Sequence, residues 1–130
     1  MTSDELKQRT KTFALRVIRL VENLPNNMTG KVLGNQLIRS ATSVGANYRA
    51  ACRSRSKQEF VSRIKVVEEE ADESLFWLEL IMEKNIFKLE KINGLIKEAD
   101  ELTAIFTSTN KTAKVNFLNQ RSKIKNQKSC

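Results

Sequence analysis

Histidine is absent from this 130-residue chain, which removes the commonest general base and the commonest metal ligand together. Proline occurs once and glycine four times, so turns are scarce and the regular elements must be long. Aromatics make up only 6%, and the β-branched residues form no alternating runs, which argues against a sandwich or barrel. The two cysteines, Cys52 and Cys130, are too few for a disulfide framework and lack zinc-ligand spacing. No apolar stretch approaches the roughly 20 residues that a membrane span needs, so no membrane partner is expected. The polar, mixed-charge start MTSDELKQRTK reads as neither a signal peptide nor a presequence, which makes a cytoplasmic location the expectation. There is no Gly-rich phosphate loop, and no nucleophile has a base beside it. No catalytic residue, metal or cofactor is therefore assigned, and an enzyme is not expected.

What is present suits one soluble domain: 40% hydrophobic and 29% charged residues over 14.9 kDa. The net charge of +8 is unevenly placed. Met1 to Lys65 carries 13 Lys/Arg against 4 Asp/Glu, and Val66 to Asn110 carries 4 against 11. The last twenty residues hold six cations and no acid. An acid-free basic tail is an electrostatic footprint for nucleic acid, or else a solubilising tail. The opposed charges of the first two segments are expected to meet inside the fold or between subunits.

Four helices are expected. The first starts at Ser3 as N-cap, carries Leu6, Phe13, Val17, Leu20, Val21 and Leu24 at three- and four-residue steps, and stops at Pro25. The second runs from near Thr29 to about Arg53, with Leu33, Leu37, Ala41, Val44 and Tyr48 as its core stripe. Beside that stripe lies a polar one, Gln36, Ser40, Ser43 and Asn47, suited to a hydrogen-bonded seam between helices or subunits, or to a ligand-facing groove. The third opens on the capping box Ser56-Lys57-Gln58-Glu59 and continues through Phe60, Ile64, Val67, Ala71, Leu75, Leu78 and Met82. Phe76, Trp77 and Leu80 fall off that seam and are read as an oligomer interface. Asn85 is a left-handed stop. The fourth spans about Leu89 to Ala113, facing Ile92, Leu95, Ala99, Leu102, Phe106 and Thr109 inward. The expected fold is an all-α, up-down-up-down four-helix bundle over residues 1–118, with a disordered basic tail over 119–130.

The acidic run Glu68-Glu69-Glu70-Ala71-Asp72-Glu73 lacks the Glu-x-x-His pairs of a di-metal bundle. It is expected to be a solvated or salt-bridged face answering Arg49, Arg53, Arg55 and Arg63.

Gln36-Leu37-x-Arg39-Ser40-x-x-Ser43-Val44-x-x-Asn47 resembles the signature of the bacterial four-helix-bundle proteins, also called 23S rRNA intervening-sequence proteins. Ser56-Lys57-x-Glu59-Phe60 and Glu69-x-Ala71-x-Glu73-x-x-x-Trp77-Leu78 extend the likeness, which covers Leu6 to about Lys114. The resemblance implies a left-handed bundle assembled into homo-oligomeric rings, typically pentamers, and a nucleic-acid-associated, non-catalytic role. It also implies a likeness in fold to the basic accessory protein of diversity-generating retroelements.

Residues and resemblance together lead to an expected homo-oligomer, a pentamer by resemblance, that binds RNA in preference to DNA through phosphate charge. The expected contacts are Arg39, Arg49, Arg53, Arg55 and Lys57, with Lys111, Lys114 and Arg121 near the C-terminus. The expected subunit contacts are Gln36, Ser40, Ser43 and Asn47 with Phe76, Trp77 and Leu80. The alternative is a protein-interaction or assembly module whose opposed charges serve subunit or partner contacts.

Overall fold

A computed structural model describes the backbone of residues 1–128 and the side chains of residues 1–123. Four antiparallel helices form an up-down-up-down bundle: α1 Ser3–Glu22, α2 Met28–Cys52, α3 Lys57–Glu83 and α4 Leu89–Lys128. Their boundaries follow side-chain chemistry. Three helices begin at a residue whose side-chain oxygen accepts the N3 amide: Thr2 from Glu5 at 3.1 Å, Asn27 from Gly30 at 2.8 Å, and Ser56 from Glu59 at 3.1 Å. The cap of α1 is thus Thr2 rather than Ser3, and α2 starts slightly earlier than Thr29. Asn85, at φ 55°, is the one non-glycine in the left-handed region among the described residues and stops α3 as expected.

The buried positions keep a strict three-four spacing. In α1 they are Leu6, Thr10, Phe13, Val17 and Leu20; in α3 they are Ile64, Val67, Ala71, Ser74, Leu78 and Ile81. That rhythm averages 3.5 residues per turn, the repeat of a left-handed supercoiled bundle. It corrects the expected α3 seam: Ser74 and Ile81 are buried, while Leu75 and Met82 are only partly covered. The cause is the supercoil, which holds the 3.5-residue repeat against the core where an ideal straight helix drifts off it.

The packing is uneven around the bundle. The α2–α3 and α3–α4 seams are extensive, α1 lies mainly on α2, and α1 meets α4 least. Tyr48 of α2 reaches Phe106 of α4 across the interior, ring centroids 5.4 Å apart. The thin α1–α4 seam is held by Arg9, which donates to Glu98 at 2.6 and 2.9 Å and to Glu101 at 2.7 Å. Hydrogen bonding to Glu98 is the main cause that holds this guanidinium above its ordinary pKa.

Beyond Asn110 no side chain up to residue 123 is buried, yet the backbone stays helical to Lys128, past the expected end at Ala113. The 40 residues of α4 span about 60 Å, against about 40 Å for α3, so the end of α4 projects past the bundle. Most of the expected tail at 119–130, Cys130 included, lies outside the described side chains.

The α1–α2 turn depends on Gly30. A Cβ there falls 2.0 Å from the Pro25 carbonyl oxygen, too close for the turn to keep its path. Gly30→Ala is expected to lower stability by about 1–3 kcal/mol despite the better helix propensity of alanine. Thermal unfolding checks this, and an unchanged or raised midpoint contradicts it.

Candidate nucleic-acid interface

The two halves of the sequence signature meet across the α2–α3 seam. Arg39 of α2 pairs with Glu70 at 3.2 Å and with Glu73, both on α3. One residue on, the Ser40 hydroxyl donates to the Leu37 carbonyl at 3.2 Å and accepts from the Ser74 hydroxyl at 2.9 Å. Both serines are fully buried, and their small side chains let the two helices approach closely. Asn47 turns back on its own helix, donating to the Ser43 carbonyl at 2.9 Å. This corrects two expectations. Ser40 belongs to a seam within the chain and has no surface to offer another subunit. Arg39, held by two carboxylates, is not a free cation.

The acidic run is divided rather than gathered. Glu70 and Glu73 face Arg39, while Glu68 accepts from Thr107 at 2.9 Å and from Asn110 at 2.7 Å on α4. Glu69 and Asp72 remain exposed. Among the described residues no group of three or more acids, cysteines or histidines is placed to hold a metal. The expected answer from Arg49, Arg53 and Arg55 does not form. Arg63 does find an acid, but it is Glu59, one turn earlier, at 3.1 Å.

Phe76, Trp77 and Leu80 also divide. Trp77 and Leu80 are half-buried against the core, because α3 packs on both α2 and α4 and so buries a wide arc. Phe76 stays 51% exposed, edge-on to Trp77 with ring centroids 5.0 Å apart.

With Glu68, Glu70 and Glu73 engaged by α2 and α4, cations gather where α2 ends and α3 begins. Arg49, Arg53, Arg55 and Arg63 line an open groove of about 660 Å³ floored by Ala46 and Ala50. Glu59 is its one acid. It accepts the Arg55 backbone amide at 3.1 Å, and that bond, with Arg63 next in strength, holds its carboxyl below the ordinary value. Arg49, Arg53 and Arg55 form no ion pair among the described residues. Lys57 stands beside them and shares a smaller depression with Asn116, Gln120 and Lys123 of the projecting α4. Lys114 instead shares a groove with Glu68, Glu69 and Asp72. Arg121 lies over the Phe117 ring at 5.7 Å, and Lys111 is exposed. The structure thus joins Arg49, Arg53, Arg55 and Lys57, and separates them from Arg39 and Lys114.

The family described as 23S rRNA-intervening sequence protein matches residues 3–108. The chain belongs to this family. A solved structure of a protein of unknown function, from the S23 ribosomal protein family of Bacteroides thetaiotaomicron, is 29% identical. It superposes with a TM-score of 0.77 over 85% of this chain and 99% of that one. No curated protein matches. In this 23S rRNA-intervening sequence protein the family match takes in the bundle and the arginine groove, whereas Lys111, Lys114 and Arg121 lie beyond it.

A second basic groove escapes sequence reasoning. Arg16 and Arg19 of α1 face Lys88 and Lys91 at the start of α4, around a cleft of about 740 Å³. Arg16 and Arg19 are spaced three apart on one face of α1, and Lys88 immediately precedes α4, with Lys91 in its first turn. Only the tertiary fold brings together pairs some seventy positions apart.

Arg39→Gln tests its structural assignment. It is expected to cost about 1 kcal/mol, the range of a part-exposed ion pair, by leaving Glu70 and Glu73 unpaired. Stability measured by thermal unfolding should fall while any nucleic-acid affinity keeps its salt dependence. Loss of affinity without loss of stability contradicts the assignment.

Proposed function

We propose that this 23S rRNA-intervening sequence protein is a non-catalytic, cytoplasmic, homo-oligomeric bundle that binds nucleic acid through phosphate charge, RNA in preference to DNA. The observation that carries the reading is the convergence of Arg49, Arg53 and Arg55 on one open groove without acidic partners for their side chains. Guanidinium groups so placed suit phosphate oxygens, which they engage in bidentate fashion. Alanines at the floor leave room for a sugar–phosphate backbone and supply no groups to read base edges, so recognition is sequence-tolerant. Lys57 and the projecting α4 extend the positive surface. A ring of copies, a pentamer by family resemblance, multiplies weak phosphate contacts by avidity.

The test is a salt titration of binding to a generic RNA and a generic DNA duplex, with oligomer mass followed in the same buffers. Three arginines per engaged subunit give a slope of log affinity against log salt of about −2 to −3. Arg53→Glu with Arg55→Glu is expected to remove most of that slope while the oligomer persists. Binding that is flat between about 50 and 200 mM salt overturns the reading.

A second reading rests on the outer face of α3, where Phe76 and Val66 are 51% and 39% exposed among the acids Glu69, Asp72 and Glu83. On that reading the acidic, part-apolar face takes the basic end of another subunit or protein. The same double reversal then breaks assembly instead of nucleic-acid binding.

A further inference from the structure

The cleft between the end of α1 and the start of α4 has a chemistry different from that of the arginine groove. Four cations, Arg16, Arg19, Lys88 and Lys91, surround an apolar floor of Leu20, Ile86, Phe87 and Leu95. No acid lines it, and none of the four cations takes part in an ion pair among the described residues. The cleft exists because α1 and α4 have the thinnest seam of the bundle, closed at Arg9 and open beyond it. Arg16 reaches across this seam: one of its guanidinium nitrogens lies 3.1 Å from where a Cβ on Gly94 of α4 would stand.

The start of α4 borders the cleft, with Lys88 and Lys91 in its lining and the first-turn acid Glu90 outside it. The other three helices have a side-chain acceptor at the N-cap, but α4 follows Lys88, whose ammonium can only donate. Amides at a helix start and cations around them both favour a bound anion. Half-buried Phe87 lines the cleft and supplies the one aromatic ring there for a flat apolar group to pack on. Asn23 uses its amide nitrogen on the Arg19 carbonyl at 2.8 Å, which leaves its oxygen as an acceptor at the rim. The volume falls within the range of small-molecule sites, roughly 300–1,000 Å³.

We infer that this cleft is a binding site for a nucleoside phosphate, with the phosphate held among Arg16, Arg19, Lys88 and Lys91 and the base laid against Phe87. The site lies at the opposite end of the bundle from Arg49, Arg53 and Arg55, and stands independently of the reading of that groove. Both parts of the ligand are required: a phosphate alone leaves the apolar floor wet, and a nucleoside alone leaves the cations unanswered.

Calorimetric titration of the full chain with adenosine 5′-monophosphate, inorganic phosphate and adenosine tests this. The nucleotide is expected to bind about tenfold more tightly than either fragment, the range that one base stacked on an aromatic ring supplies. Phe87→Leu, which keeps the apolar volume, should remove that advantage and leave phosphate binding in place. Arg16→Gln with Lys91→Gln should abolish both. Arg53→Glu with Arg55→Glu should leave nucleotide binding unchanged, so failure here and failure of the arginine groove remain distinguishable. Equal affinity for phosphate and nucleotide overturns the proposal, as does no nucleotide binding at all. Loss of oligomer mass in the Arg16/Lys91 variant, without nucleotide binding in the parent, also overturns it and assigns the cleft to a second copy of the chain.

Discussion

The close approach of α2 and α3 at Ser40 and Ser74 governs how charge is distributed over the rest of the molecule. Two fully buried hydroxyls 2.9 Å apart bring the helices near enough for Arg39 to reach two carboxylates on α3. Each serine also has a carbonyl partner on its own helix, Leu37 for Ser40 and Glu70 for Ser74 at 2.8 Å, so both hydroxyls are satisfied inside the seam and their small size sets the close approach. Glu68 makes the corresponding contacts with α4 through Thr107 and Asn110. Three acids of α3, Glu68, Glu70 and Glu73, therefore face sideways to its two neighbours, away from the cation-lined grooves at the ends of the bundle.

Those ends differ in what they offer. At one, arginines stand over alanines, a surface suited to a charged backbone and indifferent to bases. At the other, cations ring an apolar, aromatic floor, a surface suited to a compact anion with a flat body. The separation follows from the antiparallel topology, since α2 runs about 37 Å from one end to the other. The exposed acids Glu69 and Asp72 lie on the flank between, with Phe76 near them on α3.

Much of this was legible in the sequence where the signal is local. The Ser56–Glu59 cap, the left-handed Asn85, the core stripe of α2 and that of α4 as far as Phe106 all read directly from spacing and side-chain chemistry, whereas one turn later Asn110 is buried and the expected Thr109 only partly covered. The resemblance carried by Gln36 to Asn47 pointed to the family that residues 3–108 match. The misreadings were those that depend on a partner helix. Thr10, Ser74 and Ile81 are buried because supercoiling keeps a 3.5-residue repeat inward, which an ideal helical wheel misses. Arg39 looked like a free cation because its acids lie 31 or more positions away. The cleft at Arg16 and Lys91 was invisible for the same reason.

Arg49, Arg53 and Arg55, rather than Arg39, are the residues proposed to meet the phosphates. Arginine-specific chemical modification with and without bound RNA, located by mass spectrometry, tests this assignment most directly. RNA is expected to protect Arg49, Arg53 and Arg55 and to leave the reactivity of Arg39 unchanged. Protection of Arg39 alone, or of none of the four while RNA is bound, contradicts it.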